Sequence, residues 1–149
     1  MNPTVRSWLK KSRQELDEIY CNALPGEIPT GDTEGTAIMA GSLLSQSVAA
    51  MSRMWLWQGK VFDIFCPSGQ KGILYNKITP LSLTYIVAKV YRGISWVDGK
   101  ETIVLDYSRT SFVAQKIRDE IREVEPGVYL GKVWWGSKPV FYFALVRSR

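Results

Sequence analysis

The sequence predicts a mainly β fold, an antiparallel up-and-down β-barrel with one or two N-terminal helices packed on it. From Gly59 onward, short runs of β-branched and aromatic residues alternate with turn signals, which is typical of an all-β region. The last run, residues 140–146, is apolar on both faces. One face would line a barrel and the other would lie under a helix. The length of 149 residues predicts a single domain, with helices and loops at 1–57 and the barrel at 58–149.

Two helices are predicted before the barrel. Asn2 followed by Pro3 is a typical N-cap and first helical residue, and apolar side chains recur at helical spacing as far as Tyr20. Residues 24–35 are rich in glycine and proline and predict a loop. Residues 41–57 carry an apolar helical stripe and predict a second, more buried helix.

The predicted strands are joined by consecutive hairpins. They lie near residues 60–65, 72–78, 83–92, 94–97, 101–107, 117–124, 128–135 and 139–146. Asp98-Gly99 predicts a two-residue type I′ turn, and further turns are predicted at Pro126-Gly127 and at residues 136–138.

Residues 117–124 are ambiguous between helix and strand. Val113, Ile117, Ile121 and Val124 would share one helical face, and this periodicity slightly favours a helix. The strand is preferred because the turn at Pro126-Gly127 then joins it to the strand at 128–135.

Composition excludes several classes of function. The net charge is +5, but the basic residues of 60–100 are scattered singly, so no nucleic-acid partner is predicted. The absence of histidine excludes a Ser-His-Asp triad and histidine-based metal sites. No phosphate-binding glycine loop follows a strand, so no nucleotide cofactor is predicted. Taken with the absence of histidine, this predicts neither a metal nor a cofactor. No apolar run reaches the roughly 18–20 residues of a transmembrane helix, and a cytoplasmic location is predicted.

Several blocks of sequence carry a resemblance to a known group of proteins. They are residues 26–36, 57–60, 96–100, 106–108, 117–124 and 126–131. These blocks resemble a group of small uncharacterised bacterial proteins with lipocalin-like, calycin-type β-barrel architecture. The resemblance covers most of the chain from residue 26 to 135. It implies the fold and a bacterial source, and it carries no set of site residues.

The densest run of charged residues extends from Arg118 to Glu123. On a strand, Arg118, Glu120 and Arg122 share one face. Inside a barrel, Arg118 or Arg122 could hold the acidic group of a ligand through paired hydrogen bonds. A solvated face with mutually paired charges is the alternative.

Asp106 and Glu120 are the candidate catalytic carboxylates. Asp106 shares a face with Val104, and apolar neighbours would raise its pKa towards the range of a general acid or base. The alternative is a turn aspartate that accepts hydrogen bonds from the backbone near Ser108. Aromatic residues predicted to contact a ligand, with core packing as the alternative, are Tyr91, Tyr107, Tyr129, Trp96 and Trp134.

Three functions are compatible with these residues. The leading hypothesis is binding of a small hydrophobic or amphipathic molecule inside the barrel. The second is a cofactor-free lyase, isomerase or cyclase that positions such a ligand beside a carboxylate and tyrosine side chains. The third is a packed barrel that acts through its outer surface as an interaction module or homodimer.

Overall fold

The fold is a closed barrel of eight antiparallel strands. The computed structural model describes residues 1–40, 57–64, 71–78, 86–112 and 114–148. Each strand pairs with its neighbours in sequence, and the last strand closes the barrel by pairing with the first. The predicted up-and-down barrel with N-terminal helices is therefore confirmed.

The helices and strands follow one another in a simple order. They are α1 (Pro3–Trp8), α2 (Arg13–Asn22), β1 (Gly31–Ile38), β2 (Trp57–Ile64), β3 (Lys71–Ile78), β4 (Val87–Ile94), β5 (Glu101–Asp106), β6 (Ile117–Glu125), β7 (Val128–Trp135) and β8 (Lys138–Arg147). The predicted helix over residues 41–57 lies outside the described residues, apart from Trp57, which begins β2.

The N-terminal helix is divided in two, whereas the sequence predicts one continuous helix to Tyr20. α1 begins as predicted, because the Asn2 side chain accepts hydrogen bonds from the first backbone N–H groups. Ser12 then begins α2 through a capping box with Glu15. The side chains of Ser12 and Glu15 each accept from the other residue's backbone N–H, which satisfies two donors at the start of a helix. A new helix therefore begins at this point, although the apolar spacing of the sequence continues through it.

Residues 31–38 form strand β1, so the predicted loop of residues 24–35 is wrong over residues 31–35. Six residue pairs join it to β8, from Thr33 opposite Arg147 to Ile38 opposite Tyr142. Glycines and polar residues hide this strand in the sequence, because its pairing comes from β8 at the far end of the chain. The barrel therefore begins before residue 58.

The connection between β4 and β5 also differs from the prediction. Residues 94–97 do not form a separate strand, because β4 ends at Ile94 and residues 95–100 form the connection. Ser95 Oγ and the Trp96 backbone N–H donate to Glu120 rather than to a strand partner. The prediction of a two-residue turn at Asp98-Gly99 is also wrong, because Ile94 pairs with Glu101 and residues 95–100 all belong to the connection.

The last three strands form as predicted. β6 is a strand throughout, so the helical alternative for 117–124 is wrong. Two-residue turns follow it at residues 126–127 and 136–137, because Glu125 pairs with Val128 and Trp135 pairs with Lys138.

Two apolar clusters lie on opposite sides of the barrel wall. The inner cluster lies inside the barrel and includes Phe62, Leu74, Leu105, Ile121, Tyr129, Phe143 and Leu145. The outer cluster joins α1 and α2 to β1, β7 and β8 and includes Val5, Trp8, Leu16, Tyr20, Leu130, Tyr142 and Ala144. β8 thus packs against apolar groups on both faces, as its sequence predicts.

No helix in the described ranges is long and apolar enough to cross a membrane.

Candidate functional site

A small cluster of polar side chains is buried inside the apolar barrel. It consists of Lys60 on β2, Asn76 on β3, Tyr107 after β5 and Asp119 on β6, and we call it the interior polar cluster. The side chains of Lys60 and Asp119 are each only 4% exposed. Moving two charges from water into an apolar interior is costly. Their mutual attraction offsets this cost only when the geometry is good and further hydrogen bonds are made.

Strand pairing directs these side chains inward. Lys60 lies opposite Asn76, and Phe62 of the inner cluster lies opposite Leu74 two residues further along. Asp119 lies opposite Leu105, which also belongs to the inner cluster. Since directly opposed residues share a face and successive residues alternate, these positions point into the barrel.

The Lys60 ammonium group lies at the centre of the cluster. Its Nζ is 3.1 Å from Asp119 Oδ2, and it donates to Asn76 Oδ1 at 2.7 Å and to the Tyr107 hydroxyl at 2.6 Å. The Tyr107 hydroxyl donates to Asp119 Oδ2 at 3.2 Å and accepts from Asn76 Nδ2 at 3.1 Å. The phenol therefore bridges the amide and the carboxylate.

Burial shifts the pKa values of this cluster towards the neutral forms. Desolvation lowers the pKa of Lys60, although Asp119 opposes the shift. Desolvation raises the pKa of Asp119, although Lys60 and Tyr107 oppose it. Desolvation and the nearby Asp119 charge raise the pKa of Tyr107 well above its usual value. The free energy of moving a proton from lysine to carboxylate is therefore lower than in water.

One carboxylate oxygen of the cluster accepts no hydrogen bond from the described residues. Asp119 Oδ1 is buried and has no hydrogen-bond donor within the part of the chain that the structure describes. Its other oxygen contacts both Lys60 and Tyr107. A buried acceptor without a donor is unfavourable, so Oδ1 is a specific point for a donor group to bind.

The barrel wall is irregular next to Lys60. In the described parts of β1 and β2, the paired residues are Gly31 with Phe62 and Asp32 with Val61. At the next position, Thr33 Oγ1 accepts from the Lys60 backbone N–H at 3.2 Å and donates to its carbonyl at 2.6 Å. A side chain thus replaces the regular ladder beside the buried lysine. We call this place the β1–β2 seam.

Tyr107 and Tyr129 are the predicted ligand-contact residues that face the barrel interior. Tyr107 belongs to the interior polar cluster. Tyr129 lies towards the other end of the barrel, where its hydroxyl donates to the Glu27 carbonyl at 2.9 Å. Burial, helped by the charge of Glu123, raises the pKa of Tyr129 to about 12.

Asp106 faces away from the barrel interior. It lies opposite Lys89 and Arg118, and its carboxylate accepts hydrogen bonds from the Tyr91 hydroxyl at 3.0 Å and the Ser108 backbone N–H at 2.9 Å. Partial burial alone would raise the pKa of Asp106, but the hydrogen bonds from Ser108 and Tyr91 outweigh it and lower the pKa. The expected raised pKa is therefore wrong, and the turn-forming alternative describes this residue.

Arg122 and Glu120 share a face as predicted, but that face lies under α2 and not inside the barrel. Arg122 forms a two-point ion pair with Asp98, at 2.6 and 2.8 Å, and donates to the Tyr20 carbonyl. Glu120 accepts from the Tyr20 hydroxyl, Ser95 Oγ and the Trp96 backbone N–H. These bonds connect the helix and the 95–100 connection to the barrel wall.

Arg118 lies on the same outer face, beside two tryptophans. Its guanidinium carbon is 4.2 Å from the centre of the Trp96 ring, and it forms an ion pair with Glu120 at 3.1 Å. Trp96 and Trp134 contact edge to face at 5.5 Å. Neither Arg118 nor Arg122 reaches the barrel interior, which corrects the expected position of an acid-binding arginine there.

A groove of about 440 Å³ also lies outside the barrel, against α2. Its lining is mostly polar and charged, from Lys11, Glu15, Glu18, Ile19, Asn22, Ala23 and Val124. It does not adjoin the interior polar cluster.

The sequence reasoning missed Lys60, Asn76 and Asp119. A usable signal was present, because Lys60 alternates with Phe62 and Ile64, and Asp119 lies between Ile117 and Ile121 on one strand face. A single charged residue on an otherwise apolar strand face indicates a buried charge.

Comparisons with known proteins establish the fold and no more. No family model matches the chain, and no curated protein matches it. The chain is similar to a solved structure described as "Crystal structure of protein from Thermomonospora curvata", with a TM-score of 0.60 and 21% identity. The similarity covers 98% of this chain and 95% of that one.

Proposed function

We propose that this protein binds a small, largely apolar molecule inside its barrel, with one polar oxygen of the ligand facing the interior polar cluster. The observation that carries this proposal is the buried pair of Lys60 and Asp119, in which Asp119 Oδ1 has no donor among the residues that the structure describes. A ligand hydroxyl could donate to that oxygen.

The cost of burial supports a functional role for the cluster. Replacing a buried ion pair with apolar residues of similar volume is often neutral or stabilising. The neighbouring interior residues are apolar, including Phe62, Leu74 and Leu105. The fold alone therefore gives little reason to place a lysine and an aspartate here, and perturbed ionisable groups in such places are candidates for function.

The apolar surroundings and the irregular wall support the same proposal. Phe143 presents its ring to Lys60 Nζ at 5.4 Å, and both aromatic and aliphatic side chains, such as Phe62 and Leu74, belong to the described interior. These groups suit an alkyl or aromatic body. The β1–β2 seam adjoins Lys60, and the hydrogen bonds that the Thr33 side chain makes there with the Lys60 backbone mark an irregular stretch of the wall, where local opening costs less. A cytoplasmic location remains a prediction.

Binding of 1-octanol tests the proposal, measured by isothermal titration calorimetry and native mass spectrometry on the full chain. Lys60→Met or Asp119→Asn should weaken binding by about tenfold or more, the worth of one hydrogen bond to a charged group. Lys132→Met is the matched control, because Lys132 is also buried and paired with an aspartate, Asp17, but faces the helices. It should leave binding unchanged.

Two results would overturn the proposal. One is 1-octanol binding that is insensitive to both Lys60→Met and Asp119→Asn. The other is the absence of binding to the wild-type protein, with no small molecule retained in its native mass spectrum. If Lys60→Met does not fold, Tyr107→Phe replaces it, since it removes only the hydroxyl that contacts Lys60.

The outer surface offers a second candidate function, an interaction module. Trp96 and Trp135 are each about half exposed, at 51% and 50%. Exposed aromatic residues are frequent in protein interfaces. The same native mass spectra count subunits, and a dimer that Trp96→Ala or Trp135→Ala converts to monomer would favour this function.

A further inference from the structure

The neighbours of Lys60 are groups that can transfer protons. Asp119 Oδ2, 3.1 Å from Nζ, is a carboxylate that can accept a proton, and the Tyr107 hydroxyl at 2.6 Å can accept or donate one. Tyr107 also contacts Asp119 directly at 3.2 Å. An amine, a proton acceptor and a bridging phenol therefore lie within hydrogen-bond distance of one another. This combination is more specific than a polar anchor requires.

We propose that Lys60 forms an iminium with the carbonyl carbon of a small apolar ketone or aldehyde, and that Asp119 then removes and returns a proton at the adjacent carbon. The proposal rests on the proposed function, because the carbonyl compound must occupy the same interior site. It specifies the ligand class and an isomerase or lyase type of chemistry that needs no cofactor.

The first stage balances as a condensation. Asp119 accepts a proton from the Lys60 ammonium group, and the free nitrogen lone pair adds to the carbonyl carbon. The carbonyl oxygen takes up the proton held by Asp119. One of the two remaining N–H protons is transferred, through Tyr107 and Asp119, to the hydroxyl group, which leaves as water while the C=N bond forms. The other proton stays on the iminium nitrogen. An ammonium and a carbonyl thus become an iminium and one water molecule, with the positive charge conserved.

The second stage moves one proton. The iminium withdraws electrons from the adjacent C–H bond, Asp119 accepts that proton, and the bonding electrons form the neutral enamine. Return of a proton at the same carbon regenerates the iminium. In a ligand that carries a further double bond conjugated with the enamine, return at the far end of that double bond isomerises the ligand. Asp119 Oδ1, which has no donor among the described residues, is the oxygen available for this transfer. Addition of water then releases the carbonyl compound and restores Lys60.

The electrostatics of the barrel support the order of these steps. Burial favours the neutral amine over the ammonium group and the neutral acid over the carboxylate, so the pKa values of Lys60 and Asp119 shift towards each other. The aromatic rings of Tyr107 and Phe143 lie 5.3 and 5.4 Å from Nζ, where they stabilise a cationic nitrogen.

Deuterium exchange of 2-octanone provides the test. The full chain is incubated with 2-octanone in D₂O, and loss of the proton signals next to the carbonyl is followed by NMR. A parallel sample is reduced with sodium cyanoborohydride and mapped by peptide mass spectrometry. We expect exchange above the buffer rate and a reduced adduct on Lys60, with the mass of the ketone less its oxygen.

Matched variants separate chemistry from charge. Lys60→Arg keeps the positive charge but cannot form the iminium, so exchange should fall to the buffer rate. Lys132→Arg alters a buried lysine whose side chain lies on the outer face of the barrel wall, under the helices, and it should leave exchange unchanged. Tyr107→Phe, which preserves Lys60, should slow adduct formation by about 100-fold, as expected for loss of a proton-transfer group. If Lys60→Arg does not fold, Tyr107→Phe replaces it as the test variant.

The outcomes distinguish the two proposals. If 1-octanol and 2-octanone bind but neither exchange nor a Lys60 adduct appears, iminium formation is overturned and ligand binding stands. If neither molecule binds and reduction labels only exposed lysines such as Lys89, both proposals are overturned. If Lys60→Arg retains exchange, proton transfer does not require the iminium and this inference fails.

Discussion

The ring of Phe143 lies directly over the backbone of Gly131, its partner across the β7–β8 ladder. A methyl group on the Gly131 Cα would come within 2.3 Å of the ring carbon Cζ. Phe143 belongs to the inner cluster, so the ring is surrounded by packed side chains. The absence of a side chain at residue 131 is therefore what makes room for a large aromatic ring inside the barrel.

Gly131→Ala should lower the free energy of unfolding by about 1–3 kcal/mol, the usual cost of overpacking a core. Urea unfolding followed by tryptophan fluorescence measures the change. Phe143→Leu provides the matched background, because a smaller side chain leaves space for the new methyl group. In the Phe143→Leu background, Gly131→Ala should lower the free energy of unfolding by much less. Equal costs in both backgrounds would show that the ring contact is not responsible.

Thr33 supports the β1–β2 seam with its side chain. Thr33→Val keeps the shape but leaves the backbone N–H and carbonyl of Lys60 without these hydrogen bonds, so it should destabilise the protein by about 1–3 kcal/mol. Hydrogen exchange should show faster exchange of the Lys60 amide. Thr36→Val is the control, since Thr36 lies on the opposite face of the same strand. Equal effects of the two variants would contradict this role of the hydroxyl.

Much of the barrel could be predicted because its strands carry local signals. β8 is apolar on both faces, and its structure places Phe143 inside the barrel and Tyr142 under the helices. β1 could not be predicted, because its residues are polar or small and β8, its main partner, lies about a hundred residues away along the chain. The division of the N-terminal helix depends on one side-chain capping box, which a periodic apolar pattern does not reveal.

The site was harder to predict than the fold. The sequence correctly placed Arg118, Glu120 and Arg122 on one face, but the pattern does not show whether that face is the inner or the outer one. The helices decide it, because α2 supplies Tyr20 to both Glu120 and Arg122. Asp119 lies within the charged run from Arg118 to Glu123, but its neighbours on the inner strand face are Ile117 and Ile121, so the interior charge is visible only when each face is read separately.

Glu120 should act in stability and not in interior chemistry. Glu120→Gln replaces a fully buried carboxylate that accepts from Tyr20, Ser95 and Trp96, so we expect a loss of about 1–3 kcal/mol in unfolding free energy. Binding of 1-octanol and exchange of 2-octanone should stay at wild-type levels in the folded protein. A large loss of either activity without a loss of stability would instead support the predicted catalytic role of Glu120.

The ion pair of Asp98 and Arg122 should make the free energy of unfolding depend on pH in the acidic range. Hydrogen bonds from Arg122, opposed by partial burial and helped by the Lys100 backbone, lower the pKa of Asp98 from 3.8 to about 2. Because the pKa is lower in the folded protein, the ionised carboxylate stabilises the fold above pH 4. That contribution is lost as the pH falls from about 4 to 2. Partial solvent contact of Asp98 limits it to about 1–2 kcal/mol.

Comparison with Asp98→Asn isolates this contribution from other acid-sensitive groups. The wild type should exceed the variant in unfolding free energy at pH 6, and the difference should narrow towards pH 2 as Asp98 takes up its proton. Urea unfolding at several pH values measures both proteins. Glu101→Gln is the control, because its pair with Arg92 is exposed and such pairs contribute little. A constant difference across this pH range would mean that the Asp98 carboxylate stabilises the turn through its shape and hydrogen bonds, not through its charge.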